Sequence, residues 1–164
     1  VKNKSHRQIK ENLEIGSIES IHGSFMFINK KIFKKIGGFD KNFFLYFEET
    51  DYCKRALAKG FKSYQINKAK VKTEGRTVSI KNKKEKKELD NILIWHFIWS
   101  KYYFTKKNYG IIISLLVFLP TTIRIVVRII FYQLINKKKF VQKYKYRLNG
   151  LMTSIMGKSS SLRP

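Results

Sequence analysis

The stretch Phe43-Phe-Leu-Tyr-Phe-Glu-Glu-Thr-Asp-Tyr-Cys-Lys-Arg55 carries the chemistry that stands out in this sequence. Only 11 of its residues are acidic, yet Glu48, Glu49 and Asp51 fall within four positions. They follow an aromatic run and open a helical pattern over residues 48–59, with Gly60 after its end. One account of the cluster is helix capping. Acids in a first turn complement the macrodipole by about 0.3–1 kcal/mol each, and Asp51 with Arg55 is an i,i+4 pair. The other account is general-base chemistry: a carboxylate held at the mouth of a pocket by an apolar wall can deprotonate an acceptor hydroxyl. Composition by itself favours capping.

The elements around the cluster read as follows. Residues 24–28 form a short apolar run that predicts a buried strand. Residues 30–36 predict a short helix, stopped by Gly37-Gly38. Phe39-Asp-Lys-Asn42 is turn chemistry. Strands are expected at residues 63–66 and 69–71. Strand, helix, helix, strand suits an α/β layer. Residues 89–107 carry a broad aromatic helical stripe, broken at Asn108-Tyr-Gly110. Two apolar stretches follow, 111–119 and 123–135, separated by Pro120-Thr-Thr.

An ordered set of motifs shifts the balance toward chemistry. It runs His22-Gly-Ser-Phe-Met-Phe-Ile-Asn-Lys-Lys-Ile-Phe-Lys-Lys-Ile-Gly-Gly-Phe-Asp40, then the acidic stretch, then Ala58-Lys-Gly-Phe61, Glu74-Gly-Arg-Thr77 and Ser100-Lys-Tyr-Tyr-Phe-Thr-Lys-Lys-Asn-Tyr-Gly110. In that order the motifs resemble the carboxy-terminal half of family 2 glycosyltransferases, most closely the rhamnosyltransferase-like group that builds bacterial surface polysaccharides. The resemblance covers residues 20–110; each motif alone is weak and the ordered set is specific.

The resemblance implies an α/β fold, the acceptor half of a GT-A domain, followed by carboxy-terminal amphipathic, membrane-associated helices. It implies an inverting transfer from a nucleotide-sugar donor to a surface polysaccharide or lipid-linked acceptor. Glu49 would be the catalytic base. Glu48, Asp51, His22, Gly23 and Lys72 would bind substrate. Lys72 stands where the family has a histidine; it can neutralise diphosphate charge but is no ordinary metal ligand, and the alternative is that it marks a relaxed, inactive site. A divalent ion, Mg or Mn, is expected in a full-length parent, with ligands mostly outside this chain. The sequence contains no Asp-x-Asp, and residue 1 is Val. The chain therefore reads as an interior piece of a longer protein, or as a truncated one, unable to transfer sugar without a missing amino-terminal half.

The expected organisation is an acceptor-side region at 1–80, a linker and aromatic helix at 81–110, apolar membrane-interface helices at 111–135, and a basic tail at 136–164. The formal net charge is +24, which calls for a polyanionic partner or surface. Thr121, Arg124, Arg128 and Tyr132 share one helical face opposite Ile, Val, Leu and Phe. That is an interfacial pattern, followed at once by the basic block at 136–147. An anionic membrane surface is the expected partner, at the cytoplasmic face of a bacterial membrane, with the chain peripheral or monotopic. Nucleic acid is not expected: no recognised binding motif occurs, and the apolar residues 111–135 would be wasted on RNA. Two rival readings are a non-catalytic membrane-associated partner subunit and a basic nucleic-acid-binding protein. Cys53 is expected as a buried small residue, since a single cysteine supports neither a disulfide nor a zinc site. His96, amid Trp95, Phe97 and Trp99, is expected to be packed rather than a ligand.

Overall fold

A computed structural model describes residues 15–72 and 82–163. Those residues fall into two compact units, one holding 15–41 and 48–72, the other 42–47 and 82–163.

The first unit holds β1 (Ile15–Ile18), α1 (Lys30–Ile36), α2 (Glu48–Ala58) and β2 (Ser63–Ile66). α1 begins where the Asn29 side chain accepts the Lys31 N–H at 2.9 Å, an N-cap bond that satisfies an otherwise orphan donor. It ends at Gly37, whose φ of 79° few side chains tolerate. α2 buries Asp51, Tyr52, Cys53 and Ala56. Cys53 is thus a core residue, as its spacing suggested. β1 and β2 pair antiparallel, Ile15 opposite Ile66 and Ile18 opposite Ser63.

The expected α/β, GT-A architecture is not found. The described residues are mostly helical, and their single sheet has two antiparallel strands. Residues 24–28 and 69–71 are not strands. A strand exists only when its backbone groups find a ladder partner. The run at 24–28 has none, and it leaves Phe27 85% exposed instead of burying it. Glu74-Gly-Arg-Thr77 lies outside the described residues.

The second unit is built from three helices: α3 (Lys83–Tyr109), α4 (Ile111–Leu134) and α5 (Lys138–Ile155). Gly110, at φ 84°, makes the sharp corner between α3 and α4. The segment read as two apolar stretches is one continuous helix with Pro120 inside it. Proline forfeits the bond to the carbonyl of Leu116 and its ring crowds that carbonyl. Packing holds the helix through that point, because Phe118 and Ile125 enter a core with Ile98, Tyr102, Tyr144 and Leu151. The basic segment after residue 136 also forms a helix, α5, whose buried face carries Tyr144, Gly150, Leu151 and Ser154.

α3 and α5 approach closely at Gly150. A Cβ there would lie 2.7 Å from the Trp95 carbonyl oxygen and 2.9 Å from Ile98 Cγ2. The carbonyl belongs to a helix backbone and cannot step aside. Gly150→Ala is therefore expected to cost about 1–3 kcal/mol, the usual range for overpacking, despite alanine's better helix propensity. Thermal unfolding would register the loss; a stabilised variant would show that the crossing is looser.

Polar pins complete this unit. Trp95 Nε1 donates to Asn149 Oδ1 at 2.7 Å, Trp99 Nε1 to the Lys158 carbonyl at 3.1 Å, and Ser154 Oγ to the Trp99 carbonyl at 3.0 Å. His96 is fully buried. Its Nε2 donates to the Leu162 carbonyl at 2.7 Å, so in the neutral ring Nδ1 accepts from Ser160 Oγ at 2.9 Å. Burial pushes the His96 pKa down; the Leu162 carbonyl opposes this, and the Arg163 charge adds to it.

The unfolded chain therefore takes up a proton at His96 more readily than the folded one. Stability is full above the unfolded value of about 6.5 and falls as pH drops through it. Unfolding midpoints between pH 7.5 and 5 should show this slope. His96→Gln should flatten it, and an unchanged slope would assign it to other groups.

Candidate functional site

The three acids occupy the first turn of α2, but their environments differ. Asp51 is 1% exposed and accepts from Arg55 Nε at 2.8 Å. The same guanidinium donates to the carbonyl of Ile36 at 2.9 Å and of Gly38 at 2.7 Å. Arg55 thereby fastens the end of α1 and the Gly37-Gly38 turn to α2. Asp51, expected as a substrate-binding residue, is engaged in this clamp. The i,i+4 spacing disclosed the pair; the two carbonyls, 17 and 19 residues away, left no signal in the sequence.

Glu49 faces the loop that enters from β1. Its Oε1 accepts the Gly23 N–H at 3.3 Å, while its Oε2 is buried without a hydrogen-bond partner among the described residues. A side chain at Gly23 would touch this carboxylate, since a Cβ there would lie 3.4 Å from Oε1. One residue further on, Thr50 Oγ1 and Ser20 Oγ are 3.1 Å apart, a second tie between loop and helix. Sequence reading missed the Ser20–Thr50 tie, because small hydroxyl residues occur everywhere.

Gly23 is therefore brought to the acidic cluster, with His22 beside it in the chain. His22 Nδ1 is bonded within its own loop, to the Ser24 N–H at 3.3 Å and Ser24 Oγ at 2.9 Å. Accepting the backbone proton at Nδ1 places the ring's own proton on Nε2.

Glu48 also has a buried Oε2 without a hydrogen-bond partner among the described residues. Burial pushes its carboxyl above the ordinary range; its own backbone N–H pulls the other way, and the neighbouring Glu49 charge pushes it further up. Lys72 is exposed, beyond β2, and makes no hydrogen bond or ion pair with the acids among the described residues.

The aromatic run ahead of the acids is anchored in the second unit. Phe43 is buried edge-on to Tyr103, and Phe47 lies against Phe97 and Phe104. Ser100 Oγ donates to the Leu45 carbonyl at 2.6 Å. Tyr46 and Phe47 both have positive φ, 66° and 70°. Bulky residues enter that region only when their surroundings force them to. Here the ring contacts and the Ser100 bond supply the constraint.

Comparison with known proteins yields one local likeness. The chain is 41% identical over 39 residues to the low-salt glycan biosynthesis hexosyltransferase Agl10 of Haloferax volcanii. The match spans 24% of this chain and 13% of that protein. No protein-family model matches the chain, and no solved structure matches it. The likeness suggests a glycosyltransferase and goes no finer.

Proposed function

We propose that residues 15–72 contribute the acceptor-activating part of an inverting glycosyltransferase, with Glu49 as general base. The observation that carries this reading is the Glu49 carboxylate. One oxygen is steadied by the Gly23 N–H, and the other is buried and has no hydrogen-bond partner among the described residues. Complementing the helix macrodipole requires no such bond from outside the helix. The local likeness to a hexosyltransferase and the ordered motifs shared with family 2 support the same chemistry.

In the step proposed, the acceptor hydroxyl gives its proton to Glu49. Its oxygen attacks the anomeric carbon of a nucleotide-sugar donor, and the bond to the diphosphate breaks on the opposite face. The electron pair leaves with the nucleoside diphosphate. Glu48 stands beside Glu49 as a second acid on the substrate side, its carboxyl pKa raised by burial against the pull of its own backbone N–H. His22 and Gly23 line the approach; Lys72 supplies positive charge for the diphosphate. The acceptor is a glycan or a lipid-linked sugar.

No three His, Cys, Asp or Glu side chains converge to hold a metal among the described residues. These residues do not fit a Mg or Mn site, and no step is assigned to a metal ion here.

The reading is tested in the cell that encodes the chain, by exchanging the codon for Glu49 and measuring surface and lipid-linked glycans. Loss of one glycan species in Glu49→Gln, with the protein still present at its normal level, is the expected result. An unchanged glycan profile would return the acidic cluster to a capping role.

A further inference from the structure

The second unit presents a surface that a water-soluble protein seldom has. α4 turns Ser114, Phe118 and Ile125 inward, with Ile129 and Tyr132 partly covered. Its other faces carry Ile112, Leu116, Val117, Leu119, Ile123 and Val127, all exposed, Ile112 at 71% and Leu116 at 65%. A continuous apolar band of this kind marks a contact surface.

The charge beside it is of one sign. Asp90 is the last acidic residue in the sequence, and thirteen Lys and Arg follow it. α5, packed along α4, bears Lys138, Lys139, Lys143, Lys145 and Arg147. Arg128, although on α4, is drawn to α5: its Nη1 donates to the Tyr144 hydroxyl at 2.6 Å.

α4 is long and apolar enough to cross a membrane by composition. Spanning would drag the lysines of α5 into hydrocarbon, at several kcal/mol each. Lying in the interface keeps them at headgroup level.

At the corner between α4 and α5 there is a cavity of about 390 Å³, lined by Tyr132, Gln133, Asn136, Lys138, Gln142 and Lys145, with Val141. Its wall is braced by aromatic stacking. Tyr132 lies 4.8 Å from Phe140 and 5.7 Å from Tyr144, the rings within 17° of parallel. Two ammonium groups and three amides offer donors, and no carboxylate opposes an anion. A phosphodiester has acceptor oxygens to match them, while its acyl chains would lie along the apolar face of α4.

We infer that this unit docks on an anionic phospholipid membrane, α4 lying in the interface and the α4–α5 corner holding one lipid phosphate between Lys138 and Lys145. This inference does not depend on the transferase reading.

The test is co-sedimentation of the whole chain with phosphatidylcholine vesicles containing about one-quarter phosphatidylglycerol, at moderate salt. Lys138→Gln with Lys145→Gln should weaken binding roughly thirty-fold, from about 1 kcal/mol per lysine near an anionic surface. Lys59→Gln with Lys62→Gln removes equal charge from the other unit and should change binding less than about threefold by the same measure. Equal losses in the two pairs would overturn the headgroup site. Leu116→Asn with Ile123→Asn, at exposed positions that leave the fold intact by circular dichroism, should also release the protein. Full binding by that variant would overturn the insertion of α4. Absence of vesicle binding together with tight retention on single-stranded RNA would overturn the membrane assignment altogether.

Discussion

Glu49→Gln is expected to lower sugar transfer about 10²–10⁴-fold, the ordinary contribution of a positioned general base. The amide preserves the shape of the carboxylate and can still accept the Gly23 N–H through its oxygen. It cannot take the proton of an acceptor hydroxyl. Donor binding should survive, because the lost interaction is made only as the acceptor is deprotonated. Glu48→Gln should be milder, because Glu48 is not the group that takes the acceptor's proton. Lys72→His should be tolerated. A larger loss in Glu48→Gln than in Glu49→Gln would exchange the two roles.

The second large effect concerns stability. Arg55→Ala should destabilise the first unit by about 3 kcal/mol, the lower end for breaking a buried ion pair. The lower end applies because the Arg55 side chain is 29% exposed while that of Asp51 is 1% exposed. The loss has two sources. Asp51 would stay buried without its cation, and the carbonyls of Ile36 and Gly38 would lose their donors. Arg55→Lys should recover only part, since one ammonium cannot span all three acceptors. Removing the acid as well, in Asp51→Asn with Arg55→Ala, should restore some of the loss. Urea unfolding of the four proteins measures this. An Arg55→Ala protein as stable as the wild type would show that the clamp contributes nothing net.

Local punctuation was readable from the sequence. Gly37, Gly60 and Gly110 each end an element and each has a positive φ; α1 spans the expected residues, and α2 ends one residue early. The acids fall on the first turn of α2 because their spacing and the preceding turn require it. What failed was non-local. The apolar run at 24–28 states a preference for extended backbone, but a partner decides whether it becomes a strand. β1 went unseen because Ile-Gly-Ser-Ile offers few β-formers, and it exists through pairing with residues 63–66. The α/β layer was inferred from order of elements and from resemblance, and the two-stranded sheet does not supply it. In α5 the apolar positions Tyr144, Leu148, Leu151 and Ile155 recur at helical spacing, masked by the lysines between them. The contact between Gly23 and Glu49 joins residues 26 apart, a distance that no local pattern encodes.

The most direct measurement is transfer of radiolabelled sugar from nucleoside-diphosphate sugars by cell fractions in which the gene has been deleted and then complemented. Incorporation of label into glycan should disappear on deletion, return with the wild-type gene, and fail to return with Glu49→Gln. Label incorporated equally without the gene, or restored in full by Glu49→Gln, would contradict a glycosyltransferase whose base is Glu49.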